Sequence, residues 1–418
     1  MTSRTLTEIA QQARSWLHEN WDPDLDLVVW RNLLADSGWG VPEWPKQWFG
    51  KELSTAESNV VEQEFVALDV VGVAKTGIRM LAAATLLEHG SDEQKGQFLR
   101  GILTGEESWC QLFSEPGSGS DLAGAITRAD KDGDRWIVNG QKVWTTSAHH
   151  ADWGLLLART DWDEPKHRGL TYFVINMHQA GVRVRPLRQM NHHASFNEVF
   201  MTDAYVEAAH QVGGLGSGWQ VALTTLAHER RRADGLRPLA VAADAKARRT
   251  GKIYAQEQHE TESVMEPYKW YPQRAGRVDL ALPRAIETGK INDPVVVQEL
   301  AKLIMMARSS EWTAKRARAG LAAGRKQGPE GSLGKLAASN VAKLAARVHT
   351  LIAGADAMLE GSDAPRQGLI SEILMSTPAV SIAGGTDEIQ RNIIAERVLG
   401  MPKEPRSDTG PFRDVKRN

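Results

Sequence analysis

The chain has 418 residues, of which 42% are hydrophobic and 24% are charged, and its formal net charge is −2. This length predicts two or three domains, and the near-neutral charge argues against a protein that binds nucleic acid or anionic membranes. The single cysteine, Cys110, excludes an internal disulfide and is typical of a reducing compartment.

Residues 1–108 carry the periodicity of amphipathic helices, and Leu6, Ile9, Ala13 and Leu17 share one face of the first. The segments STAESNVVEQEFVALDVVG and SDEQKGQFLRGILTG repeat the pattern, and each begins at a serine that can cap a helix. The N-terminus lacks the uninterrupted apolar core of a secretory signal, and no apolar run reaches the ~20 residues of a bilayer span. We therefore predict an N-terminal helical domain in a cytoplasmic protein without a membrane span.

Residues 109–208 change to short strands. In GDRWIVNGQKVWTTS, Asn139-Gly140 lies between two alternating runs, which is a strong hairpin signal, and Asp132-Gly133 marks another turn just before it. The segments WGLLLART, LTYFVINM, VRVRPLRQM and FNEVFM follow at close spacing. This density of strands predicts an antiparallel barrel or sandwich.

Residues 209–402 return to helical periodicity. Two apolar stripes define two long helices joined by GRKQGPEGS, which predicts a helical bundle. The stretch 252–280 contains Pro267 and Pro272 and does not fit one continuous helix. Residues 403–418 have the composition of a loose tail.

Two segments of the strand region have the composition of a cofactor site. FSEPGSGSD, which begins at Phe113, offers backbone amides to phosphate oxygens, although a solvent loop would look the same and Gly117 and Gly119 do not fit a Rossmann fingerprint. In VWTTS, Trp144 can lie flat against an aromatic cofactor and the threonines that follow can hydrogen-bond its edge. A core tryptophan is the alternative interpretation.

Two segments of the helical region have features of a reaction site. In SIAGGTDEIQR, Gly384-Gly385 permit a tight turn before a helix capped by Thr386 or Asp387, and such a helix N-terminus can receive an anion or a cofactor oxygen. Nothing inside this turn can accept a proton. In HERRR, Glu229 stands beside arginines, which indicates either a solvated ion-paired face or a base for proton abstraction beside an anion-binding arginine.

The paired histidines His149-His150 and His192-His193 do not predict a metal site. Adjacent residues of a strand point to opposite faces, and the sequence offers no evident third ligand. We therefore expect no metal.

Taken together, these segments resemble the acyl-CoA dehydrogenase family over nearly the whole chain. The motifs that carry the resemblance come in the family's order and spacing: CQLFSEPGSGSDLAG, VNGQKVWTTSAHHADWGLLLART, PKHRGLTYFVINM, GVRVRPLRQM, FNEVF and GGTDEIQRNIIAERVLG. The resemblance implies a mainly α fold with a central β-barrel. Its parts would be an N-terminal α-helical domain (1–108), a central β-barrel domain (109–208), a C-terminal four-helix bundle (209–402) and a tail (403–418).

The resemblance also implies FAD as cofactor, an acyl-CoA thioester as substrate, a trans-2-enoyl-CoA as product and an electron-transferring flavoprotein as electron acceptor. By resemblance, Phe113 and Ser114 match family residues that contact the flavin, and Gly119 and Ser120 match residues that approach the pyrophosphate or the CoA arm. Trp144, Thr145 and Thr146 match residues that border the isoalloxazine, and Thr386 and Glu388 match residues that hold the nucleotide part of FAD.

The resemblance answers where the base lies. Most members have a glutamate in the turn at the position of Gly384, whereas a minority branch with isovaleryl- and long-chain-specific enzymes carries its base beside an arginine on the first bundle helix. LAHER places Glu229 and Arg230 there. The resemblance thus implies Glu229 as catalytic base, Arg230 as a substrate contact, and a backbone amide near Gly384 or Gly385 as donor to the thioester oxygen.

Two family motifs are altered. Arg-x-x-Phe-Gly, which reaches FAD across a subunit interface, is replaced in the region LPRAIETGKINDP, and Gln-x-x-Gly-Gly is replaced by LIAGA. We expect a homodimer or homotetramer, with a heteromer as the alternative that these departures raise. The rival functions are a flavin oxidase or monooxygenase of the same fold and a non-catalytic partner subunit. The acyl group stays open among branched, long and polycyclic chains.

Overall fold

The computed structural model describes residues 5–232, 249–323, 325, 330–406 and 408–415. The chain forms two compact units. The first comprises the chain up to Leu187, Ser195–Pro267 and the C-terminal segment from Asp408; the second comprises Arg188–Ala194 and the chain from Tyr268 to that C-terminal segment. No helix among the described residues is both long enough and apolar enough to cross a membrane.

The first unit begins with five helices: α1 (Leu6–Asn20), α2 (Leu27–Ser37), α3 (Thr55–Ala67), α4 (Arg79–His89) and α5 (Asp92–Thr104). The predicted serine caps are confirmed, because Ser54 and Ser91 each accept a hydrogen bond from the backbone three residues later. The predicted apolar face of α1 is confirmed at Ile9, Ala13 and Leu17, which are fully buried, but not at Leu6, which is exposed. The N-terminal helical domain is therefore present as predicted.

Eight strands follow: β1 (Trp109–Leu112), β2 (Arg128–Asp132), β3 (Arg135–Thr146), β4 (Trp153–Arg159), β5 (Leu170–Asn176), β6 (Val182–Leu187), β7 (Phe196–Glu207) and β8 (Gln211–Val212). They form one sheet in the order β6-β7-β3-β2-β4-β5-β8, and β1 pairs parallel to β4. This pairing runs as an open path among the described residues, so it does not confirm the closed barrel that the sequence predicts.

Strand β4 is buried on both of its faces. Leu155 and Leu157 pack with the helices α4 and α5, whereas Leu156 and Ala158 pack with the layer of β3 and β7. Because alternate residues of a strand face opposite sides, a strand buried on both faces has an almost continuous apolar run. This explains the sequence WGLLLAR.

The predicted hairpin at Asn139-Gly140 is wrong, because both residues lie inside the continuous strand β3. The hairpin turn lies at the predicted second signal, Asp132-Gly133, between β2 and β3. Glycine is needed at position 140 for a different reason: a Cβ there would lie 2.5 Å from Thr127 Oγ1 and 2.8 Å from Thr127 Cα. Close passage of another chain segment, not a reversal of direction, selects this glycine.

The first unit also contains α6 (Gly218–Arg232) and α7 (Lys252–Met265). Glu260 of α7 accepts from Arg31 at 2.6 Å and from Arg79 at 3.2 Å, and both arginines are buried. These ion pairs fix α7 to the N-terminal helices.

The second unit is helical: α8 (Tyr271–Arg274), α9 (Val278–Glu287), α10 (Pro294–Ala322), α11 (Glu330–Ala353), α12 (Leu369–Ser376), α13 (Pro378–Ile382) and α14 (Asp387–Arg397). The predicted stripes on α10 and α11 are confirmed in part: Leu300, Leu303 and Val348 share one core, whereas Ala314 and Leu333, which belong to the same stripes, are exposed. The predicted interruption within 252–280 is also confirmed, because α7 ends at Met265 and α8 and α9 begin separately.

Residues 408–415 are packed, which corrects the prediction of a loose tail for this part of 403–418, whereas residues 403–406 are exposed and without regular structure as predicted. The Phe412 amide donates to Glu164 O at 3.0 Å, and the Arg413 amide donates to Trp162 O at 2.9 Å. Phe412 is only 1% exposed. One buried aromatic residue and these backbone hydrogen bonds outweigh the polar composition that predicted disorder.

Candidate functional site

The 113–127 loop, from Phe113 to Thr127, leaves β1 at the position predicted to contact a flavin. Phe113 is buried and lies edge-on to Tyr172, with ring centroids 5.8 Å apart. Ser114 O accepts from the Val143 amide at 2.9 Å, which ties the start of the loop to β3. Gly119 and Ser120, the proposed pyrophosphate or CoA contacts, are exposed, and a Cβ at Gly119 would meet no atom within 4 Å.

A buried ion pair sets the shape of the 113–127 loop. Lys142 Nζ donates to Glu115 Oε1 at 2.8 Å and to Phe113 O at 2.9 Å, and Lys142 is fully buried. The Glu115 carboxylate also accepts from the amides of Ile126 and Thr127 at 2.7 and 2.9 Å. Burial opposes ionisation of Glu115, but Lys142 and these amides together hold its pKa below the usual value.

Trp144 projects from a bulge near the end of β3. Its φ of 62° is left-handed and its exposed fraction is 55%, although Lys142, Val143 and Thr145 around it are buried. The pairing with β7 shifts register between Lys142 and Thr145, which marks the bulge. A left-handed conformation in a tryptophan costs free energy, so the surrounding structure must impose this exposed aromatic face.

The two threonines after Trp144 differ in burial. Thr145 is 1% exposed and its Oγ1 has no hydrogen-bond partner among the residues that the structure describes, whereas Thr146 is half-buried at the end of β3. A buried hydroxyl without a partner is costly, and a bound group that offers a donor or an acceptor would remove that cost. The predicted ring wall therefore has one exposed aromatic face and one unsatisfied hydroxyl beside it.

Glu229 lies on α6 and faces β1. Gln111 Nε2 donates to Glu229 Oε2 at 3.3 Å. Gln111 and Phe113 lie two residues apart, so an extended chain directs both to the side of β1 that packs against α6. The predicted base is thus held next to the strand that continues into the 113–127 loop. The side chain of Arg230, the predicted substrate contact, lies outside the described residues.

A buried hydroxyl network fixes α6 one turn before Glu229. Thr225 Oγ1 lies 2.8 Å from Thr85 Oγ1 and 3.0 Å from the Tyr172 hydroxyl, and all three residues are fully buried. Burial raises the pKa of Tyr172, which keeps its hydroxyl protonated. The hydrogen bonds join α6 to α4 and β5 and so hold Glu229 in register.

In the second unit, the segment 381–391 forms the predicted turn. Gly384 and Gly385 have φ values of 68° and 85°, and Thr386 caps α14 by accepting from the Ile389 amide at 3.2 Å. Gln390 reaches back to the turn, and its Nε2 donates to Gly384 O at 3.0 Å. A Cβ at Gly384 would meet no atom within 4 Å, so this position is open.

The first turn of α14 contains two acids with different environments. Glu388, the predicted nucleotide contact, is exposed and pairs with Arg391 at 3.1 Å. Asp387 is 2% exposed and accepts from Lys335 at 3.1 Å and from Lys343 at 2.8 Å. Burial opposes the ionisation of Asp387, yet these lysines hold its pKa far below the usual value. The hydrogen bonds from Lys335 and Lys343, which both lie on α11, fix the turn to that helix.

Arg284, the remnant of the altered Arg-x-x-Phe-Gly motif, is buried. Its Nη1 lies 2.7 Å from His349 Nδ1, and His349 Nε2 lies 3.0 Å from Arg277 O. Burial lowers the pKa of His349, so the neutral ring accepts from Arg284 and donates to the carbonyl. In this conformation the Arg284 side chain is buried in the second unit and hydrogen-bonded to His349.

In the first unit, Ser114 O accepts from the amide of Val143, the neighbour of Trp144, and Glu229 is hydrogen-bonded to Gln111, two residues before Phe113. The structure places Gly384, Gly385, Thr386 and Glu388 together on the turn of the second unit. The sequence interpretation missed Gln111, Glu115, Lys142 and Thr225, which hold the first set, and it considered Asp387, which fixes the second set, only as a helix cap. Glu115 and Lys142 carried a usable signal, because each is a charged residue in a segment that also had cofactor-type features.

Three family models match the chain: the acyl-CoA dehydrogenase N-terminal domain at 4–106, the middle domain at 110–204 and the C-terminal domain at 278–399. The chain belongs to the acyl-CoA dehydrogenase family and is an FAD-dependent oxidoreductase.

Among individual proteins, the chain is 34% identical to the acyl-CoA dehydrogenase IpdE1 of Mycobacterium tuberculosis (strain ATCC 25618 / H37Rv), over 95% of this chain and 98% of that protein. It is 35% identical to the acyl-CoA dehydrogenase FadE34 of the same strain, over 88% of this chain but 46% of FadE34, so it spans about half of that relative. A solved structure named "Tcur3481-Tcur3483 steroid ACAD" has the same fold, with a TM-score of 0.65, 22% identity, and coverage of 97% of this chain and 100% of that one.

The residues of the first unit fit the family's cofactor. The orphaned hydroxyl of Thr145 can hydrogen-bond the edge of an isoalloxazine ring, and the exposed face of Trp144 can stack beside it. The open backbone at Gly119 can approach phosphate oxygens.

Proposed function

We propose that the chain catalyses the α,β-dehydrogenation of an acyl-CoA thioester to a trans-2-enoyl-CoA and passes the electrons to an electron-transferring flavoprotein. The observation that carries the proposal is the position of Glu229, which Gln111 holds at 3.3 Å beside the strand leading into the 113–127 loop. A carboxylate next to a flavin loop is the group that this reaction requires.

In this proposal Glu229 accepts the proton from the substrate's α-carbon. The α-proton of a thioester is weakly acidic, so the developing enolate needs donors at its oxygen, and we assign this part to a backbone amide at Gly384 or Gly385. Gln111 orients the carboxylate, and Thr225 fixes the helix that carries it. FAD, when bound, supplies the acceptor for hydride from the β-carbon. Phe113, Ser114, Trp144, Thr145 and Thr146 would hold its ring, Gly119 and Ser120 its phosphates or the CoA arm, and Thr386 and Glu388 its nucleotide.

The test of this function is flavin bleaching by a panel of branched, long and polycyclic acyl-CoAs, measured in single turnover on the wild type and Glu229→Gln. The amide keeps the size and hydrogen bonding of the carboxylate but cannot accept the proton. Loss of a general base costs about 10²–10⁴-fold in rate. We expect a yellow variant that still binds acyl-CoA and reduces its flavin at least that much more slowly.

Glu88→Gln is the matched control, because Glu88 Oε1 accepts from Thr224 of the same helix at 3.3 Å. Each variant replaces one carboxylate that accepts a hydrogen bond between α6 and a neighbouring element: Glu88 accepts from Thr224 of α6, and Glu229 of α6 accepts from Gln111. If Glu229 were only a structural partner, both would lower the melting temperature slightly and keep normal flavin reduction. Near-normal reduction by Glu229→Gln therefore rejects Glu229 as the base.

We also propose that Gly384 lies beside the acyl chain, and the open space at this position suits a branched or bulky acyl group. The name of the steroid ACAD of the same fold motivates the polycyclic member of the panel. Gly384→Glu should shift the preference toward unbranched chains, because the side chain fills that space. Gly384→Gln has the same size and backbone strain as Gly384→Glu but no charge, so it separates the effect of filling the space from the effect of the added charge. If the wild type and both variants rank the acyl-CoAs of the panel with the same relative kcat/KM values, a contact between Gly384 and the acyl group is excluded.

A second candidate function is that of a partner subunit in a heteromeric dehydrogenase. The burial of Arg284 against His349 favours it, since this arginine is not exposed for a contact across an interface. Flavin content and native mass of the chain, purified alone, decide between the two. One FAD per chain with substrate bleaching supports the complete enzyme, whereas a colourless chain that excess FAD does not load supports the partner subunit.

A further inference from the structure

The C-terminal segment 408–415 contacts the back of the 113–127 loop through two buried cations. Its backbone is held by the connection between β4 and β5: the Phe412 amide donates to Glu164 O at 3.0 Å and the Arg413 amide to Trp162 O at 2.9 Å. An ion pair between Arg413 and Asp163 lies beside these hydrogen bonds. The segment is thus placed at one defined position.

The first cation is Arg159. Its guanidinium carbon lies 3.4 Å from the centroid of the Phe412 ring, and both residues are at most 1% exposed. On the loop side, Arg159 Nε donates to Ala125 O at 3.0 Å and Arg159 Nη2 donates to Ala123 O at 2.7 Å. The ring of Phe412 covers the cation that fixes two carbonyls of the loop, and a desolvated cation over an aromatic face is stabilised.

The second cation is Lys166, which is 7% exposed. Its ammonium group lies 2.7 Å from Asp121 Oδ1 of the loop and also pairs with Asp408 of the C-terminal segment. Lys166 O in turn accepts from the Arg159 guanidinium at 3.3 Å. The two cations therefore form one connected network between the segment and the loop.

We propose that the segment 408–415 positions the 113–127 loop for FAD, an inference that rests on the proposed function because it takes this loop as the cofactor cradle. Phe412 and Asp408 are positioning residues: they act through Arg159 and Lys166 and do not contact the cofactor. Lys142 and Glu115 fix the two ends of the loop, at Phe113 and at Ile126 and Thr127, and the C-terminal segment acts on the part between them. A residue near the C-terminus thereby determines the affinity of a site formed some 290 residues earlier in the sequence.

The test uses the full-length apoprotein of Phe412→Leu, which keeps an apolar side chain and removes the aromatic face over Arg159. We expect the Kd for FAD, measured by fluorescence titration, to rise about three- to tenfold. Hydrogen exchange without FAD should become faster at the amides of Ile126 and Thr127, which the loop's own carboxylate otherwise protects. Phe412→Tyr restores the aromatic face and should restore both values in part.

Trp30→Phe is the matched control, because Trp30 is fully buried in α2 and its Nε1 donates to Val71 O at 2.6 Å, away from the loop. It should lower the melting temperature without changing the FAD affinity or the exchange of the loop amides. Asp408→Asn, a milder change, should raise the Kd by less than Phe412→Leu. Normal loop exchange and a wild-type Kd in Phe412→Leu would overturn the inference alone. A wild type that excess FAD does not load would overturn the proposed function, and the inference with it.

Discussion

The 113–127 loop and the turn at 381–391 are both rich in glycine, yet opposite means hold them in place. The loop depends on buried charges from other parts of the chain: Lys142 contacts its start, and Arg159 contacts the carbonyls near its end. The turn depends mainly on its own residues, since Thr386 caps the following helix and Gln390 reaches back to Gly384. A loop held by long-range ion pairs and a turn held mainly by local hydrogen bonds should respond differently to substitution.

The difference has a physical cause. A local cap satisfies backbone groups within a few residues and needs no burial, so it contributes about 1 kcal/mol and tolerates change. A buried ion pair has already lost the hydration of both charges, and removal of either partner leaves the other without compensation. Three sets of variants test whether the loop loses more stability than the turn when such contacts are removed.

Lys142→Met removes the cation from the buried pair and leaves the Glu115 carboxylate in an apolar core. We expect a loss of about 3–5 kcal/mol in the free energy of unfolding, together with weaker FAD binding. The double variant Lys142→Met/Glu115→Gln should recover part of that loss, because the uncompensated charge is gone. Chemical denaturation of the apoproteins measures both. A single variant as stable as the wild type would show that the pair does not organise the loop.

Asp387→Asn tests the buried charge cluster on the turn. Hydrogen bonds from Lys335 and Lys343 are charge-assisted, and Lys343 is partly exposed, so the expected loss is roughly 1–3 kcal/mol, below that of Lys142→Met. Because the folded pKa of Asp387 is lowered, its contribution to stability is present above the unfolded pKa of about 3.9 and is lost as pH falls through the folded value.

The corresponding measurement is the melting temperature of wild type and Asp387→Asn between pH 7 and pH 3. The gap should be constant down to about pH 5 and narrow below about pH 4, as protonation removes the advantage of the carboxylate. A gap that stays constant to pH 3 would contradict a lowered pKa that matters for folding. Glu388→Gln, at the exposed neighbouring position, is the control and should change little.

Gly385→Ala and Gly384→Ala compare two positions within the turn. Each places a side chain in the left-handed region, which costs roughly 1–2 kcal/mol. At Gly385 the new Cβ would also lie 2.8 Å from Gln390 Nε2, whereas at Gly384 it would meet nothing. Gly385→Ala should therefore be the more damaging by about 1 kcal/mol, the worth of the displaced hydrogen bond. Equal melting temperatures for the two would show that Gln390 does not hold the turn.

The sequence predicts those features that depend on neighbouring residues. The serine caps of α3 and α5, the stripes of α10 and α11 and the left-handed Gly384-Gly385 all follow from local spacing, and the structure confirms the caps and the glycines in full and the stripes in part. The resemblance, based on motif order, predicts the family and the arrangement of helical, strand and helical regions. The assignments of Glu229, Trp144 and the turn residues to catalysis and cofactor binding stay predictions.

Features that depend on distant contacts were not predictable. Asn139-Gly140 has the local signal of a hairpin, but the reason for its glycine is Thr127, which approaches from another segment. The C-terminal segment has the composition of a disordered tail, but Arg159 and Trp162 provide a site for Phe412. Neither contact leaves a trace in the spacing of nearby residues. Charged residues within apolar strands, such as Lys142, are the signal that could have directed attention to such sites.

The bulge at Trp144 does not occur alone. The ladder between β3 and β7 shifts register twice, first between Val138 and Gly140 and then between Lys142 and Thr145, in opposite directions. The pairs Trp136 with Val206 and Thr146 with Phe196 therefore belong to one common register on either side of the shifted stretch. A slip of one residue would turn every following side chain to the wrong face. An insertion or deletion that removes one bulge leaves the strands out of register unless a second change removes the other bulge as well. We therefore expect related sequences to keep both bulges or to lose both.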